Sequence, residues 1–122
     1  MKRSSLVLIP ILIFIIQCNS PKSVESKSKN PEMSIKKQIE KGAFLVDVRT
    51  PEEFAEGSVK GAVNIPLDQV ESRVNEFKGK SSVIVFCRTG NRSEQAIEIL
   101  EKNGIKNIEN GINAENIEKE IK

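Results

Sequence analysis

The chain has 122 residues, room for one domain. Lys and Arg number 19 against 17 Asp and Glu, and histidine and tryptophan are absent. The near-balance of charge argues against a nucleic-acid partner, and the lack of histidine removes Ser-His-Asp triads, Cys-His pairs and histidine metal ligands. Chemistry is left to a thiol, carboxylates, Arg/Lys or backbone dipoles.

The N-terminus opens with Lys2 and Arg3; beyond residue 18 the chain holds 17 basic and 17 acidic residues. Leu6 to Ile16 is an apolar run of 11 residues interrupted only by Pro10. As a helix it would span about 16 Å, roughly half a bilayer core, so it is expected to be an export signal and not a permanent span. Its end, Ile15-Ile16-Gln17-Cys18, resembles a bacterial lipoprotein signal, with Gln17 standing where that signal favours Gly, Ala or Ser. The resemblance implies a lipoprotein-type signal peptide over residues 1–18 and lipid on Cys18. It also implies a place in the bacterial cell envelope, periplasmic or at the outer surface, with the membrane as partner through that lipid. Residues 19–32, NSPKSVESKSKNPE, carry one aliphatic side chain, Val24. They bury too little apolar surface to offset ordering entropy, and a flexible tether of roughly 20 Å reach is expected.

From Met33 the pattern alternates between helix and strand. Ile35 and Ile39 mark a short amphipathic helix stopped by Gly42. Ala43 to Val48 is a continuous apolar run ending in charge, as a buried parallel strand requires. Thr50-Pro51-Glu52-Glu53-Phe54 has an N-cap, a proline for the first turn and acids for the helix dipole. Gly61 to Pro66 is expected to be a short strand. Leu67, Val70, Val74 and Phe77 predict a helix over 67–78. Ser82 to Phe86 is the most β-rich segment and predicts the central strand. Ala96, Ile97, Ile99 and Leu100 predict a helix that ends at Asn103-Gly104. Ile105 to Ile108 predicts a last strand, and Ile112, Ile117 and Ile121 a C-terminal helix. This order predicts an α/β fold for residues 33–122: a mainly parallel central sheet of about four to five short strands with helices on both faces.

Ligand sites in such folds lie at the carboxyl ends of strands, where a loop opens into a helix. Cys87 is at that point. Helix-start N–H groups carry partial positive charge, and Arg88 and Arg92 add full charges, so the expected thiol ionises below the usual pH 8.5 without a histidine. Gly90 lets the loop turn left-handed and lets an anion approach the backbone. Thr89, Asn91 and Ser93 add short polar donors. Residues 87–93 are thus expected to form an anion cradle with a nucleophile at its centre.

The pattern resembles the rhodanese (sulfurtransferase) domain over about residues 33–117. The likeness is carried by Leu45-Val46-Asp47-Val48-Arg49-Thr50-Pro51-Glu52-Glu53-Phe54 and by Glu56-Gly57 with Gly61-Ala62-Val63-Asn64-Ile65-Pro66. Val83-Ile84-Val85-Phe86-Cys87-Arg88-Thr89-Gly90-Asn91-Arg92-Ser93 and Asn110-Gly111-Ile112-Asn113-Ala114 complete it. The resemblance implies a rhodanese-like fold and a thiosulfate-type sulfurtransferase without cofactor. Cys87 would take sulfane sulfur as a persulfide from a small-molecule donor and pass it to cyanide or a thiol. It further implies a substrate cradle of Arg88, Thr89, Gly90, Asn91 and Arg92, and an ion pair of Asp47 with Arg49 that fixes loops. A monomer is expected. Two departures stand out: Gly57-Ser58-Val59-Lys60-Gly61 lacks the family's usual histidine, and Asn110-Gly111 with Ala114-Glu115 replaces its Gly-Gly and Ala-Trp.

Loop length separates the anions such a cradle would serve. Cys87 to Arg92 is C-x4-R, whereas cysteine phosphatases use C-x5-R, whose extra residue widens the cradle for a tetrahedral phosphate. Sulfur transfer is expected; phosphatase or arsenate reductase chemistry, or non-catalytic anion or protein binding, are the alternatives.

Overall fold

The computed structural model describes residues 33–122. The expected signal peptide, lipidated Cys18 and tether lie outside the described residues. Four strands form one parallel sheet in the order β2-β1-β3-β4: β1 Phe44–Asp47, β2 Val63–Asn64, β3 Val83–Cys87 and β4 Ile108–Asn113. With its helices this is the expected α/β architecture.

β3 is central, and all five of its residues are buried. Alternation of its side chains divides the core in two. Val83, Val85 and Cys87 face a cluster with Val46, Phe77 and Leu100, which packs under α3 (Asn91–Lys102). Ile84 and Phe86 face Ile35, Leu45 and Ile117, under α1 (Ile35–Glu40) and α4 (Ala114–Ile121). Both faces of β3 are apolar, which is why its sequence runs without polar interruption. Across the sheet edge, Gln38 of α1 donates to the Glu109 carboxylate on β4.

Helix α2 (Pro51–Glu56) starts as its sequence predicts. The Thr50 hydroxyl accepts from Glu53 N at 3.2 Å, and the Glu53 side chain receives Thr50 N at 3.4 Å, a complete capping box. Gly57 ends it with φ +142°.

Three elements differ from expectation. Residues 67–78 hold two 3-10 turns, Leu67–Gln69 and Val74–Glu76, and no α-helix. Val70 and Phe77 are still buried, so the apolar spacing reports burial faithfully. The backbone pairs mostly three residues apart, as in Val70 N to Leu67 O and Phe77 N to Val74 O, while Gln69 O accepts both Arg73 N and the Ser72 hydroxyl at 3.0 Å. The last strand begins at Ile108 and not at Ile105. Ile105 is buried, but it caps the end of α3, donating its N–H to Leu100 O at 3.0 Å. Ile112 belongs to this strand, and the following helix begins at Ala114, where Asn113 Oδ1 accepts from Asn116 N at 2.8 Å.

Within β4 the register against β3 slips between Val85 and Phe86, so that Gly111 is the extra residue. A Cβ there would lie 2.8 Å from Ile117 Cδ1 and 3.0 Å from Ile84 Cγ2, so any larger residue would force these two core side chains to shift. Ile112 follows with φ +69°, strained for a β-branched residue.

Candidate active site

β3 delivers Cys87 to the carboxyl edge of the sheet, 2% exposed. The chain must then reverse into α3 within three residues. Gly90 makes the reversal with φ +93° and ψ −11°, a conformation that an L side chain adopts only with strain. This turn brings Gly90 N–H back to the Cys87 Sγ at 3.1 Å. On the first turn of α3 the buried Ser93 places its Oγ 3.6 Å from the same sulfur.

Burial pushes the Cys87 thiol up. Against it act the Ser93 hydroxyl and the backbone N–H groups of Ser93, Thr89 and Gly90, which together hold its pKa below the ordinary thiol value. The loop geometry therefore aims several donors at one sulfur and favours its anion.

The arginines do something different from what the sequence suggests. Both turn toward Glu53 on α2. Arg92 forms a two-pronged pair, Nη1 to Oε1 at 2.7 Å and Nη2 to Oε2 at 3.0 Å. Arg88 is 65% exposed and donates Nη2 to Glu53 Oε2 at 3.4 Å. Donation from Arg92 brings the Glu53 carboxyl down to about 2. Arg92 is held protonated first by Glu53 and, to a smaller extent, by the charges of Cys87 and Asp47. The expected ring of two guanidiniums around the thiol is thus replaced by amide and hydroxyl donors, with the guanidiniums already matched to a carboxylate. Thr89 and Asn91 are exposed at the lip of the loop.

Asp47 and Arg49 form a compact ion pair at the end of β1. Asp47 is fully buried and receives Arg49 N at 2.9 Å, Arg49 Nη2 at 2.6 Å and the Ser58 hydroxyl at 2.8 Å. Arg49 also donates to Gly57 O at 2.7 Å, and Asn64 Nδ2 donates to the carbonyls of Asp47 and Arg49, each at 3.0 Å. The pair ties together both ends of α2, the helix that presents Glu53. Neither side chain hydrogen-bonds to Cys87.

Two residues outside the expected set join the site. One is Glu53. The other is Asn110, on β4. Asn110 Oδ1 accepts Ile112 N at 2.9 Å and the Ser93 hydroxyl at 2.7 Å, while Nδ2 donates to Gly90 O at 3.1 Å and Glu94 Oε2 at 3.2 Å. The single Ser93 proton thus has Asn110 Oδ1, Gly90 O at 2.9 Å and the thiolate as competing acceptors. Adjacency in a parallel sheet could have flagged both residues: β1 and β4 flank β3, so the helix after β1 and the bulged second half of β4 lie beside the thiol loop. A groove of about 490 Å³ opens beside Arg92, and Val48, Leu67, Ile99, Asp68 and Glu71 also line it. Among the described residues no group of three or more His, Cys, Asp or Glu side chains is placed to hold a metal ion.

These features have counterparts in known proteins. A profile of the rhodanese-like domain matches residues 33–116. YrkF of Bacillus subtilis (strain 168) is 32% identical over 105 residues, covering 82% of this chain and 57% of that protein. The thiosulfate sulfurtransferase PspE of Escherichia coli (strain K12) is 40% identical over 67 residues, covering 53% of this chain and 64% of PspE. This chain thus spans less than two thirds of the length of either. The solved structure "rhodanese with anions from E. coli" superposes with a TM-score of 0.56 at 36% identity, over 61% of this chain and 89% of that one. The sheet order, the thiol loop and the profile match converge on one family: this chain belongs to the rhodanese-like domain proteins.

Proposed function

We propose that the protein is a sulfurtransferase that carries sulfane sulfur on Cys87. The observation that carries this reading is the Gly90 N–H held 3.1 Å from Sγ, within a loop whose other donors also converge on the sulfur. The name of the E. coli relative PspE, a thiosulfate sulfurtransferase, supports it. In the first half-reaction the Cys87 thiolate attacks the outer sulfur of thiosulfate or a similar donor. The donor S–S bond breaks, its electron pair leaves with sulfite, and Cys87 becomes a persulfide anion. The loop N–H groups stabilise that anion as they stabilise the thiolate. In the second half-reaction cyanide or a thiol attacks the outer sulfur and the Cys87 thiolate is restored. Thr89 and Asn91 line the mouth through which both substrates pass. The protein acts at the envelope, held there by lipid on Cys18, and works as a monomer without a cofactor.

Intact mass before and after thiosulfate tests the reading. A gain of one sulfur that cyanide removes, and that Cys87→Ser abolishes, is expected; no gain from either thiosulfate or an organic persulfide, or turnover of an aryl phosphate faster than sulfur transfer, overturns it. For the anchor, a Cys18→Ala form is expected in the soluble envelope fraction, and one that stays in membranes overturns lipid attachment.

A further inference from the structure

The six-residue thiol loop carries two arginines, yet a carboxylate already cancels one of their two charges and holds both prongs of Arg92. Both guanidiniums are directed at one carboxylate. Arg92 spends two N–H groups on the two oxygens of Glu53, and Arg88 adds a third contact. Glu53 is fixed in place by a second set of bonds, since its Oε1 also accepts the Thr50 N–H and lies 3.3 Å from the Thr50 hydroxyl. The helix that carries it is pinned at both ends by the Asp47–Arg49 pair. A carboxylate held this way is a built-in anion occupying the arginine fork.

We infer that Glu53 is a specificity-determining residue that disfavours small dianionic sulfur donors and leaves the cradle to organic persulfides. This rests on the sulfurtransferase reading and narrows its substrate class. The charge balance gives the reason. Thiosulfate brings a sulfonate that must share Arg92 with Glu53 or displace it, and it approaches a thiolate while itself doubly charged. An organic persulfide, RSS⁻, brings one charge and no sulfonate. Its transfer is balanced without the arginines: the Cys87 thiolate attacks the terminal sulfur, the donor S–S bond breaks, RS⁻ leaves and takes a proton from water, and Cys87 holds the persulfide. The leaving group R needs no anion site, and where R is apolar the groove beside Arg92 offers Val48, Leu67 and Ile99.

Glu53→Gln tests this. Glutamine can still close the capping box with Thr50, but it removes the negative charge. The measurement is kcat/KM for thiosulfate and for the persulfide of 2-mercaptoethanol, an uncharged thiol, in wild type and variant at one ionic strength. The ratio of thiosulfate to organic persulfide is expected to rise about tenfold in Glu53→Gln, mainly through a lower thiosulfate KM. If Glu53 only holds Arg92 in position, both donors lose together and the ratio stays, which overturns the inference. If Glu53→Gln does not fold, Glu53→Asp decides. Its carboxylate is one methylene too short to keep both prongs, so the ratio is expected to rise in the same direction, and an unchanged ratio overturns the inference. Wild type that takes sulfur from neither donor overturns the sulfurtransferase reading itself, a result distinct from an unchanged ratio in a working enzyme.

Discussion

Two corners stand side by side at the carboxyl edge of the sheet. The corner after β1 holds Asp47, Arg49 and, one turn on, Glu53; the corner after β3 holds Cys87, Arg88 and Arg92. They use opposite electrostatics. In the first, a fully buried carboxylate is matched by a guanidinium, a hydroxyl and a backbone N–H, so that nothing is left to react. In the second, the sulfur's hydrogen-bond partners are partial charges, amide N–H groups and one shared hydroxyl. Full charges would lock an anion in a tight pair, whereas dipoles stabilise it and leave it open to an electrophile. The two corners are joined where Glu53 of the first takes the arginines of the second.

Breaking the charged corner should have the largest effect. Asp47→Ala leaves the Arg49 guanidinium and the Ser58 hydroxyl without their buried partner and should cost about 3–5 kcal/mol, read as a lower denaturant midpoint. A loss below about 1 kcal/mol would mean that the pair does not hold the corner. Next is the turn of the dipolar corner. At Gly90 space is not the constraint, since an added Cβ would find its nearest atom, Ile112 Cγ2, at 3.5 Å. The constraint is φ +93°, so Gly90→Ala should cost about 1–2 kcal/mol and turn the Gly90 N–H off the sulfur. Sulfur loading followed by mass should slow with it.

A smaller change sharpens the contrast. Ser93→Ala removes the side-chain hydroxyl that lies 3.6 Å from Sγ and should cost about 1 kcal/mol. The Cys87 pKa should move up toward an ordinary thiol, seen as a shift of the alkylation profile to higher pH. An unmoved profile would assign the lowering to the amides alone. The smallest effect is on the acid side. Glu53 has a folded-state pKa of about 2, below its unfolded value, so the stability from its arginine pairs is complete above the ordinary carboxylate range. It is lost as pH falls through about 2. Denaturant midpoints measured down the acid side should fall less steeply for Glu53→Gln than for wild type.

The sequence alone determined the parallel α/β alternation, the central strand, the capping of α2 and the position of the thiol at a strand-to-helix junction. Each of these is written in local signals: an unbroken apolar run, Thr-Pro-Glu-Glu, a glycine after a cysteine. It misjudged residues 67–78 because apolar spacing reports which side chains are buried and does not decide whether the backbone pairs three or four residues apart. It placed the last strand early, at Ile105 to Ile108, and counted Ile112 with the following helix; the register slip at Gly111, packed against Ile117 and Ile84, shows a bulged strand that runs on to Asn113. What tertiary structure alone decided is the partnership of charges. Arg92 and Glu53 are 39 positions apart, Ser93 and Asn110 are 17 apart, and both pairs meet only because β1 and β4 flank β3. A guanidinium five residues from a thiol reads in one dimension as its partner; in three dimensions a carboxylate at 2.7 Å claims it, because a full opposite charge at hydrogen-bond distance outcompetes a thiolate already satisfied by dipoles.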